Sequence, residues 1–394
     1  MLSTESAATI RATLPVVAAS LDTITARFYE AMLDDHPELL DGMFNRGNQA
    51  SGEQSRALAG SIAAFATGLL AHPDERPDAL LSRIAHKHVS LGVTEDQYVV
   101  VHKYLFGAIA QTLGDAATPD VVSAWDEVYW LMAGALIALE ARLYNAAGAD
   151  GGDVWRPWRV AERREQTPDT VSLTLEPGTD DPVPAFLPGQ YVSVRVRLAD
   201  GVHQARQYSL SGWDGRRRRI TVKRLRAGAT PAGEVSTLLH DTAVPGDTLM
   251  VSAPAGDVAL AEGDHPLLLV SAGIGCTPIV AMLQRLAERA DPRRVLVLHA
   301  DRGPAEHAHR GETAALVDAL PGADLRTWYG TGGDGRGQGR MDLSGIDLPE
   351  DAEAYLCGPL PFMRDVRAQL LDAGVPARRV HYEVFGPDLW LGGA

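Results

Sequence analysis

The spacing of apolar residues changes twice along this 394-residue chain, so one regular fold cannot accommodate all of it. Up to residue 147, apolar side chains recur every three or four positions, which indicates amphipathic helices. Short alternating runs between prolines and glycines over 155–262 predict an antiparallel β-barrel. Over 263–394, continuous apolar strands alternate with helices, as in a parallel α/β sheet. The chain is therefore predicted to have three domains, 1–147, 155–262 and 263–394, with a linker at 148–154.

One predicted helix has both ends marked in the sequence. Thr118 is suited to its N-cap, Pro119 to its first turn, and Gly148 to its stop. The other helical patterns cover about 8–33, 54–70, 77–89 and 95–112. The barrel strands are predicted at 158–164, 170–175, 190–197, 206–210, 219–224 and 247–252. The α/β part has strands at 266–271, 295–299 and 354–357, and helices at 279–289, 306–319 and 361–371.

Composition excludes several classes of partner. The formal net charge of −15 argues against nucleic acid and anionic membranes, and the most apolar stretch, 131–139, is too short to span a bilayer. The N-terminal residues lack the pattern of a signal peptide, and two distant cysteines do not form a disulfide framework, so we expect a cytoplasmic protein. The basic run at 216–219 is interpreted as the solvated flank of a hairpin.

Four motifs in the last two thirds of the chain suit a nucleotide cofactor. Arg206 offers a fork for a diphosphate and is followed by a tyrosine and a serine. The glycine turn at 273–278 follows an apolar strand, so that a pyrophosphate can approach its backbone and the next helix N-terminus; Thr277 is expected to cap that helix. The third motif is the turn at 357–359, and the fourth comprises the loops at 188–191 and 233–236. Taken singly, the first motif is equally an edge strand with a core tyrosine, and the second a plain strand-to-helix turn.

Together and in this order, the four motifs resemble those of the ferredoxin-reductase family. The resemblance implies a module that binds FAD and NADH or NADPH and passes hydride from nicotinamide to flavin. The resemblance implies that Tyr208 lies on the isoalloxazine and Ser209 at its N5 edge. It also implies that the Cys357 turn lies beside the nicotinamide and Phe385 over the flavin. The resemblance assigns cofactor binding to Tyr191, Arg206, Gln207, Tyr208, Ser209, Glu234, Val235, Ser236, Gly273, Ile274, Gly275, Cys276, Thr277, Pro278, Cys357, Gly358, Pro359, Glu383, Val384, Phe385, Gly386 and Pro387.

The helical third resembles the globin domain of bacterial flavohaemoglobins nearly end to end. The phrases that carry this resemblance are Arg27-Phe-Tyr29, Met43-Phe-Asn45, Glu53-Gln54, Ala85-His-Lys-His88, Glu95-Asp-Gln-Tyr98 and Glu140-Ala-Arg-Leu-Tyr144. The resemblance implies that His88 is the proximal ligand of haem b iron, supported by a hydrogen-bonded Tyr98 and Glu140. It places Tyr29 and Gln54 on the distal side, Phe44 and Leu58 against the haem, and Lys87 and Glu383 between haem and flavin.

Other interpretations of these residues stay open at this point. His88 is also compatible with a surface or capping histidine, Glu140 with a carboxylate at the helix rim, and Tyr29 with a core tyrosine whose hydroxyl reaches the surface. Two positions depart from common family patterns: Val384 stands where cysteine is frequent, and Cys276 where glutamine is frequent. Asp301-Arg302 is compatible with either NADH or NADPH.

The resemblance implies nitric oxide dioxygenase activity, in which NAD(P)H reduces FAD, FAD reduces the haem iron, and NO and dioxygen become nitrate. NO and dioxygen are then the small-molecule partners, and no obligate protein partner is expected. One alternative is an oxygen-binding or gas-sensing globin, although a carrier needs no dedicated electron path. Another is a flavin-driven reductase of peroxides, quinones or ferric iron.

Overall fold

The computed structural model describes residues 2–50, 52–75, 77–149, 151–228, 231–332 and 339–385. These residues form two compact units. One contains the helical region up to Trp155 together with the segment Arg195–Arg206, and the other contains Arg156–Val194 and Gln207–Val384. The predicted domain limits at residues 147, 154 and 262 stay predictions.

The first unit is built from helices, as predicted. They are α1 Thr4–Asp35, α2 Arg46–Ala50, α3 Glu53–Ala71, α4 Asp78–Leu91, α5 Glu95–Leu113 and α6 Pro119–Ala147, with short 3-10 turns at Pro37–Leu40 and Gly114–Ala116. Thr118 caps α6 by accepting from the Val121 amide, and Gly148 ends it in the left-handed conformation. Both ends of α6 are therefore where the sequence indicates them.

Helix α6 is long and apolar enough to cross a membrane by length and composition alone. Its inner face, however, buries Trp125, Val128 and Leu136 in one core with Phe28 and Phe65 of other helices. Apolar residues buried among other helices are removed from water inside the fold. We therefore assign α6 as a core helix of the first unit.

The connection after α6 is anchored to the corner between α4 and α5. Gly92 ends α4 with a φ of +81°, and a Cβ on it would lie 2.6 Å from the carbonyl oxygen of Gly152. Tyr144 donates to the carbonyl oxygen of Val93 at 2.6 Å. Because only glycine allows this approach of two backbones, the end of α4 is fixed in place.

The barrel is closed by six strands in the order β1-β2-β5-β4-β3-β6. They are β1 Arg156–Thr167, β2 Thr170–Pro177, β3 Tyr191–Arg197, β4 His203–Asp214, β5 Arg217–Lys223 and β6 Thr248–Val251, with helix α7 Glu234–Thr242 after β5. The antiparallel register places Ile220 opposite both Leu173 and Leu210, and all three are fully buried. All six predicted strands are confirmed, whereas α7 was not predicted.

The prediction of a solvated basic run at 216–219 is wrong for its second half. Arg218 is 5% exposed, with its guanidinium over the rings of Trp158 and Phe186. Burial lowers the pKa of Arg218 to about 10. Arg219 forms an ion pair with Glu312 at 2.7 Å. Because these residues belong to strand β5, alternate side chains turn inward, and only the turn itself is solvated.

The α/β part is a five-stranded parallel sheet in the order β11-β10-β7-β8-β9. Its elements are β7 Leu267–Ala272, α8 Cys276–Glu288, β8 Val295–Asp301, α9 Arg310–Asp318, β9 Ala323–Tyr329, β10 Glu353–Cys357, α10 Leu360–Asp372 and β11 Val380–Glu383. The predicted class of an all-α domain, an antiparallel barrel and a parallel sheet in series is confirmed. The strand order reverses at β7, so the carboxyl ends of β7 and β10 border the crevice where such sheets bind ligands.

Candidate functional site

Three helices of the first unit bring a histidine, a tyrosine and a glutamate together. The Nδ1 atom of His88, near the end of α4, lies 2.7 Å from Oε1 of Glu140 on α6. It also lies 3.0 Å from the hydroxyl of Tyr98, in the first turns of α5. Tyr98 donates to the same glutamate oxygen at 2.6 Å. The predicted association of these three residues is thus present in the structure.

Burial explains why the three groups depend on each other. Glu140 is only 3% exposed, so its carboxylate needs these donors, and the alternative of a solvent-facing glutamate is wrong. Burial and the negative charge of Glu140 raise the pKa of Tyr98 well above its ordinary value, which keeps the phenol protonated as a donor. With Nδ1 occupied by the carboxylate, Nε2 is the nitrogen of His88 left for a metal. The donor set fits an iron ligand, and that role stays a prediction.

The residues predicted for the distal side also lie together. Tyr29 on α1 is 7% exposed and shares a side-chain hydrogen bond with Gln54 in the first turn of α3. Burial raises the pKa of Tyr29 above its ordinary value, so its hydroxyl stays protonated. The rings of Phe44 and Tyr29 meet edge-on with their centroids 5.8 Å apart. Leu58, one turn beyond Gln54 on α3, packs against the same hydrophobic core. The hydroxyl of Tyr29 is therefore held inside the fold by an amide and does not reach the surface.

The flavin motif lies on β4. Ser209 is 3% exposed, and its buried hydroxyl has no hydrogen-bond partner. A buried hydroxyl without a partner is costly, which is the situation expected where a bound cofactor supplies the missing acceptor. Gln207 donates to the hydroxyl of Ser193 at 2.9 Å, and Tyr191 is buried at the start of β3. The residues of β4 fit a flavin edge.

The second flavin loop enters helix α7. Ser236 donates to the carbonyl oxygen of Gly233 and accepts from the amide of Leu225, both at 3.2 Å. Its hydroxyl therefore shapes the loop itself. Val235 is buried at 1% exposure, while Glu234 is exposed at the helix start. Backbone amides of the first turn of α7 are the groups this loop offers to a phosphate.

Glycines bring the two turns of the sheet against each other. A Cβ on Gly275 would lie 2.2 Å from the carbonyl oxygen of Cys357, and one on Gly358 would lie 2.9 Å from the ring of Phe362. The turn after β7 and the turn after β10 can touch only because these positions lack side chains. The prediction that Thr277 caps α8 is wrong: Gly275 is the N-cap, and Thr277 donates to the carbonyl oxygen of Ile274 from within the first turn.

Both cysteines of the chain lie in these turns, and both are buried thiols. Burial raises the pKa of Cys276 to about 12, and its sulfur donates to the carbonyl oxygen of Ala308 at 3.6 Å. Burial, followed by the charge of Glu383, raises the pKa of Cys357 even further. Because the thiolate is the reactive form, neither residue is suited to act as a nucleophile.

Strand β11 pairs with β10 next to these turns. Glu383 is in register with Cys357 on the neighbouring strand and is 5% exposed. Phe385 follows with 43% of its surface exposed, after the half-buried Val384. Gly386 and Pro387 lie outside the described residues. The predicted placement of Lys87 and Glu383 between two cofactors stays a prediction.

The structure adds a buried polar cluster that the sequence analysis missed. The rings of His299 and His307 stack at 3.8 Å, and His299 shares a hydrogen bond with Ser271 at 2.9 Å. Burial lowers the pKa of His307 to about 3, so that ring is neutral. Asp301 accepts from the amide of Arg302 and its side chain is 3% exposed. The carboxylate is therefore turned into the fold at the end of β8.

A second missed group joins the barrel to the sheet within the second unit. His309 lies 2.9 Å from the hydroxyl of Thr221 and 2.7 Å from Glu312, which also pairs with Arg219. Lys223, at the end of β5, lies beside the turn at Gly273. These contacts join residues up to about ninety positions apart, so no local sequence pattern predicts them.

Family models match each of the three parts of the chain. The globin model matches residues 26–136, the oxidoreductase FAD-binding domain matches residues 157–260, and the oxidoreductase NAD-binding domain matches residues 269–368. The chain is 44% identical to a flavohemoprotein of Chromobacterium violaceum, with 98% of each chain covered. The chain belongs to the flavohemoprotein family. A flavohemoprotein of Bordetella pertussis is 43% identical over 98% of this chain and 99% of that protein.

Solved structures extend the same relationship to the fold. The flavohemoglobin of Malassezia yamatoensis, which contains FAD and heme, is 42% identical with a TM-score of 0.91, covering 98% of this chain and all of that one. The FAD/NAD-binding domain of a nitric oxide dioxygenase from Vibrio cholerae is 39% identical with a TM-score of 0.56, covering 59% of this chain and 100% of that domain. The predicted family, and with it the series of a globin, a FAD-binding and an NAD-binding domain, is confirmed.

Proposed function

We propose that this flavohemoprotein is an NAD(P)H-dependent nitric oxide dioxygenase that converts NO and dioxygen to nitrate in the cytoplasm. The observation that carries the proposal is the carboxylate of Glu140 at 2.7 Å from Nδ1 of His88. An anionic partner makes an imidazole a stronger electron donor, which favours oxygen activation over reversible oxygen storage. The similarity to the reductase part of the Vibrio protein, which is named a nitric oxide dioxygenase, supports the same assignment.

When bound by Arg206 and Ser209, FAD would supply hydride acceptance and electron transfer, and haem held by His88 would supply the iron at which dioxygen and NO meet. On the proximal side, Glu140 and Tyr98 orient the ring of His88 and fix which nitrogen faces the metal. On the distal side, the protonated hydroxyl of Tyr29 is available to donate, with Gln54 holding its direction. The ring of Phe44 packs edge-on against that of Tyr29 and adds an apolar surface beside its hydroxyl.

In the reductase, we assign the guanidinium of Arg206 to the FAD diphosphate and the hydroxyl of Ser209 to the flavin edge. The turns at Gly275 and Cys357 provide backbone groups for the pyrophosphate and the nicotinamide. The buried thiols of both cysteines stay protonated and shape the crevice without reacting.

The test is the rate at which NO disappears when it is mixed with the aerobic, NADH-reduced holoprotein. We expect NO consumption far faster than with equal concentrations of free haem and FAD, and nitrate as the product. A rate no greater than that of the free cofactors would remove the dioxygenase assignment.

The His88→Ala variant separates the two halves of the proposal. We expect it to lose haem and NO consumption but to keep NADH-driven reduction of an artificial acceptor such as ferricyanide. Loss of both activities would mean that the haem and flavin sites are wrongly assigned to separate modules.

A further inference from the structure

A fully buried glutamine at the start of β4 is bonded to a segment of the globin, 40–46. Within the first compact unit, Nε2 of Gln204 lies 3.2 Å from the carbonyl oxygens of Leu40 and of Phe44. Its Oε1 accepts from the backbone amide of Arg46, also at 3.2 Å. Gln204 has no exposed surface. Nε2 also lies 3.0 Å from the carbonyl oxygen of His203. A buried amide that bonds to three backbone groups of one segment helps to hold the backbone of that segment in place.

The same glutamine is bonded to the arginine of the flavin motif. Nη1 of Arg206 donates to Oε1 of Gln204 at 3.3 Å and to the carbonyl oxygen of Ala205 at 2.8 Å. Its other terminal nitrogen donates to Oδ1 of Asn45 at 2.7 Å. Because a guanidinium is a rigid fork, acceptors at both of its terminal nitrogens fix the direction of the whole group. The globin segment thus helps to orient the side chain that we assign to the FAD diphosphate.

Further contacts hold the segment on either side of this glutamine. Asp41 accepts from the backbone amide of His203 at 2.5 Å and from its ring nitrogen at 3.0 Å, which lowers the pKa of that carboxyl. The amide of Gly42 donates to the carbonyl oxygen of His203 at 2.8 Å. Arg46 forms an ion pair with Asp200 at 2.5 Å. The segment and Arg195–Arg206 therefore share a bonded surface with Gln204 at its centre.

We infer that Gln204 is a positioning residue for the reduction of haem by FAD. This inference rests on the proposed roles of Phe44 as a haem contact and Arg206 as a diphosphate ligand. The carboxamide of Gln204 bonds to the backbone of Phe44 and to the side chain of Arg206. It therefore couples the backbone beside the proposed haem contact to the side chain proposed for the diphosphate, and loss of such positioning slows a reaction.

The test compares Gln204→Ala with a matched control, Gln369→Ala, in the holoprotein. Gln369 also bridges two backbone groups, accepting from the amide of Leu343 and donating to the carbonyl oxygen of Met341, and it belongs to none of the proposed sites. Rapid anaerobic mixing with NADH follows flavin reduction and haem reduction separately by their absorbance. In Gln204→Ala we expect flavin reduction within about twofold of wild type and haem reduction slower by roughly tenfold to a hundredfold.

The control should leave both rates unchanged. Haem reduction in Gln204→Ala that matches the control overturns the inference, and so does a flavin reduction that slows as much as haem reduction. Neither measurement uses NO, so failure here is distinguishable from failure of the dioxygenase assignment.

Hydrogen exchange gives a readout that needs no cofactor. In the apo-protein, the amides of Gly42 and Arg46 should exchange faster in Gln204→Ala than in Gln369→Ala, and equal exchange would contradict the proposed contact. If the alanine variant does not fold, Gln204→Glu keeps the acceptor for Arg46 but loses the donor to Leu40 and Phe44. In that variant the backbone amide of Arg46 should stay protected from hydrogen exchange, while haem reduction should still be slower than in wild type. A wild-type rate of haem reduction overturns the inference.

Discussion

Glu140→Gln tests directly whether a buried negative charge controls the reactivity of His88. The substitution preserves size and one acceptor, so it removes the charge with little change in packing. Hydrogen bonds to charged groups contribute about 1.5–3 kcal/mol, against about 0.5–1.5 kcal/mol between neutral groups. Glu140 accepts two such bonds, at 2.7 Å from His88 and 2.6 Å from Tyr98. The loss is therefore about 2 kcal/mol in total.

Assigned entirely to the transition state, this loss lowers the rate of NO consumption. Since about 1.4 kcal/mol corresponds to a factor of ten, we expect NO consumption to fall by roughly thirtyfold. NADH-driven reduction of ferricyanide, which does not need the globin, should stay unchanged. The reduction potential of the haem should rise, because the imidazole becomes a weaker donor.

The matched control is Glu127→Gln on the same helix. Glu127 also accepts two hydrogen bonds, from the amide and the hydroxyl of Ser3 at 2.7 and 2.8 Å, but it lies away from His88. We expect this variant to consume NO at the wild-type rate. If Glu140→Gln retains more than about a third of the wild-type rate, or if both variants lose equal activity, the argument from the carboxylate fails.

Three further predictions concern the reductase. Ser209→Ala removes a buried hydroxyl without a partner, so the apo-protein should melt at the same or a higher temperature while flavin reduction by NADH slows; a lower melting temperature would contradict this. Gly275→Ala places a Cβ 2.2 Å from a carbonyl oxygen of β10 and should destabilise the protein by about 1–3 kcal/mol or more, as measured by denaturant unfolding. Burial acts to raise the pKa of Glu312, but hydrogen bonds from His309 and Arg219 hold it at about 2, below the ordinary 4.5. The stabilisation from this carboxylate is thus complete above pH 4.5 and lost as the pH falls towards 2, and Glu312→Gln should flatten the stability curve in that window.

Local signals in the sequence were sufficient for most of the fold. The cap at Thr118 and the stop at Gly148 mark α6 correctly because capping depends on only a few adjacent residues. The strands β9 and β11 were missed because they form the two edges of the sheet and are only partly buried. A half-exposed strand lacks the continuous apolar run by which the central strand β7 is recognised.

The candidate site divides in the same way. The turn at Gly275 was predictable because its residues are consecutive and follow a strand. The association of His88 with Glu140 was expected only through the family resemblance, because these residues are fifty-two positions apart. Gln204 lies about 160 positions from its partners on the globin, and no periodicity or motif marks it. Such contacts depend on how elements pack, which local sequence patterns do not contain.

A buried carboxylate orients the residues around His88, whereas glycines let the turns after β7 and β10 approach each other. The two groups should therefore respond to different kinds of substitution. The cluster around His88 contains a buried carboxylate, so we expect damage from a change that keeps the shape of Glu140 but removes its charge. The two turns after β7 and β10 depend on the absence of side chains at Gly275 and Gly358, so we expect even a single methyl group there to be damaging. We therefore expect a loss of charge at Glu140 to slow NO consumption without slowing flavin reduction. Added volume at Gly275 should slow flavin reduction by NADH, so the two substitutions report on different steps of electron transfer.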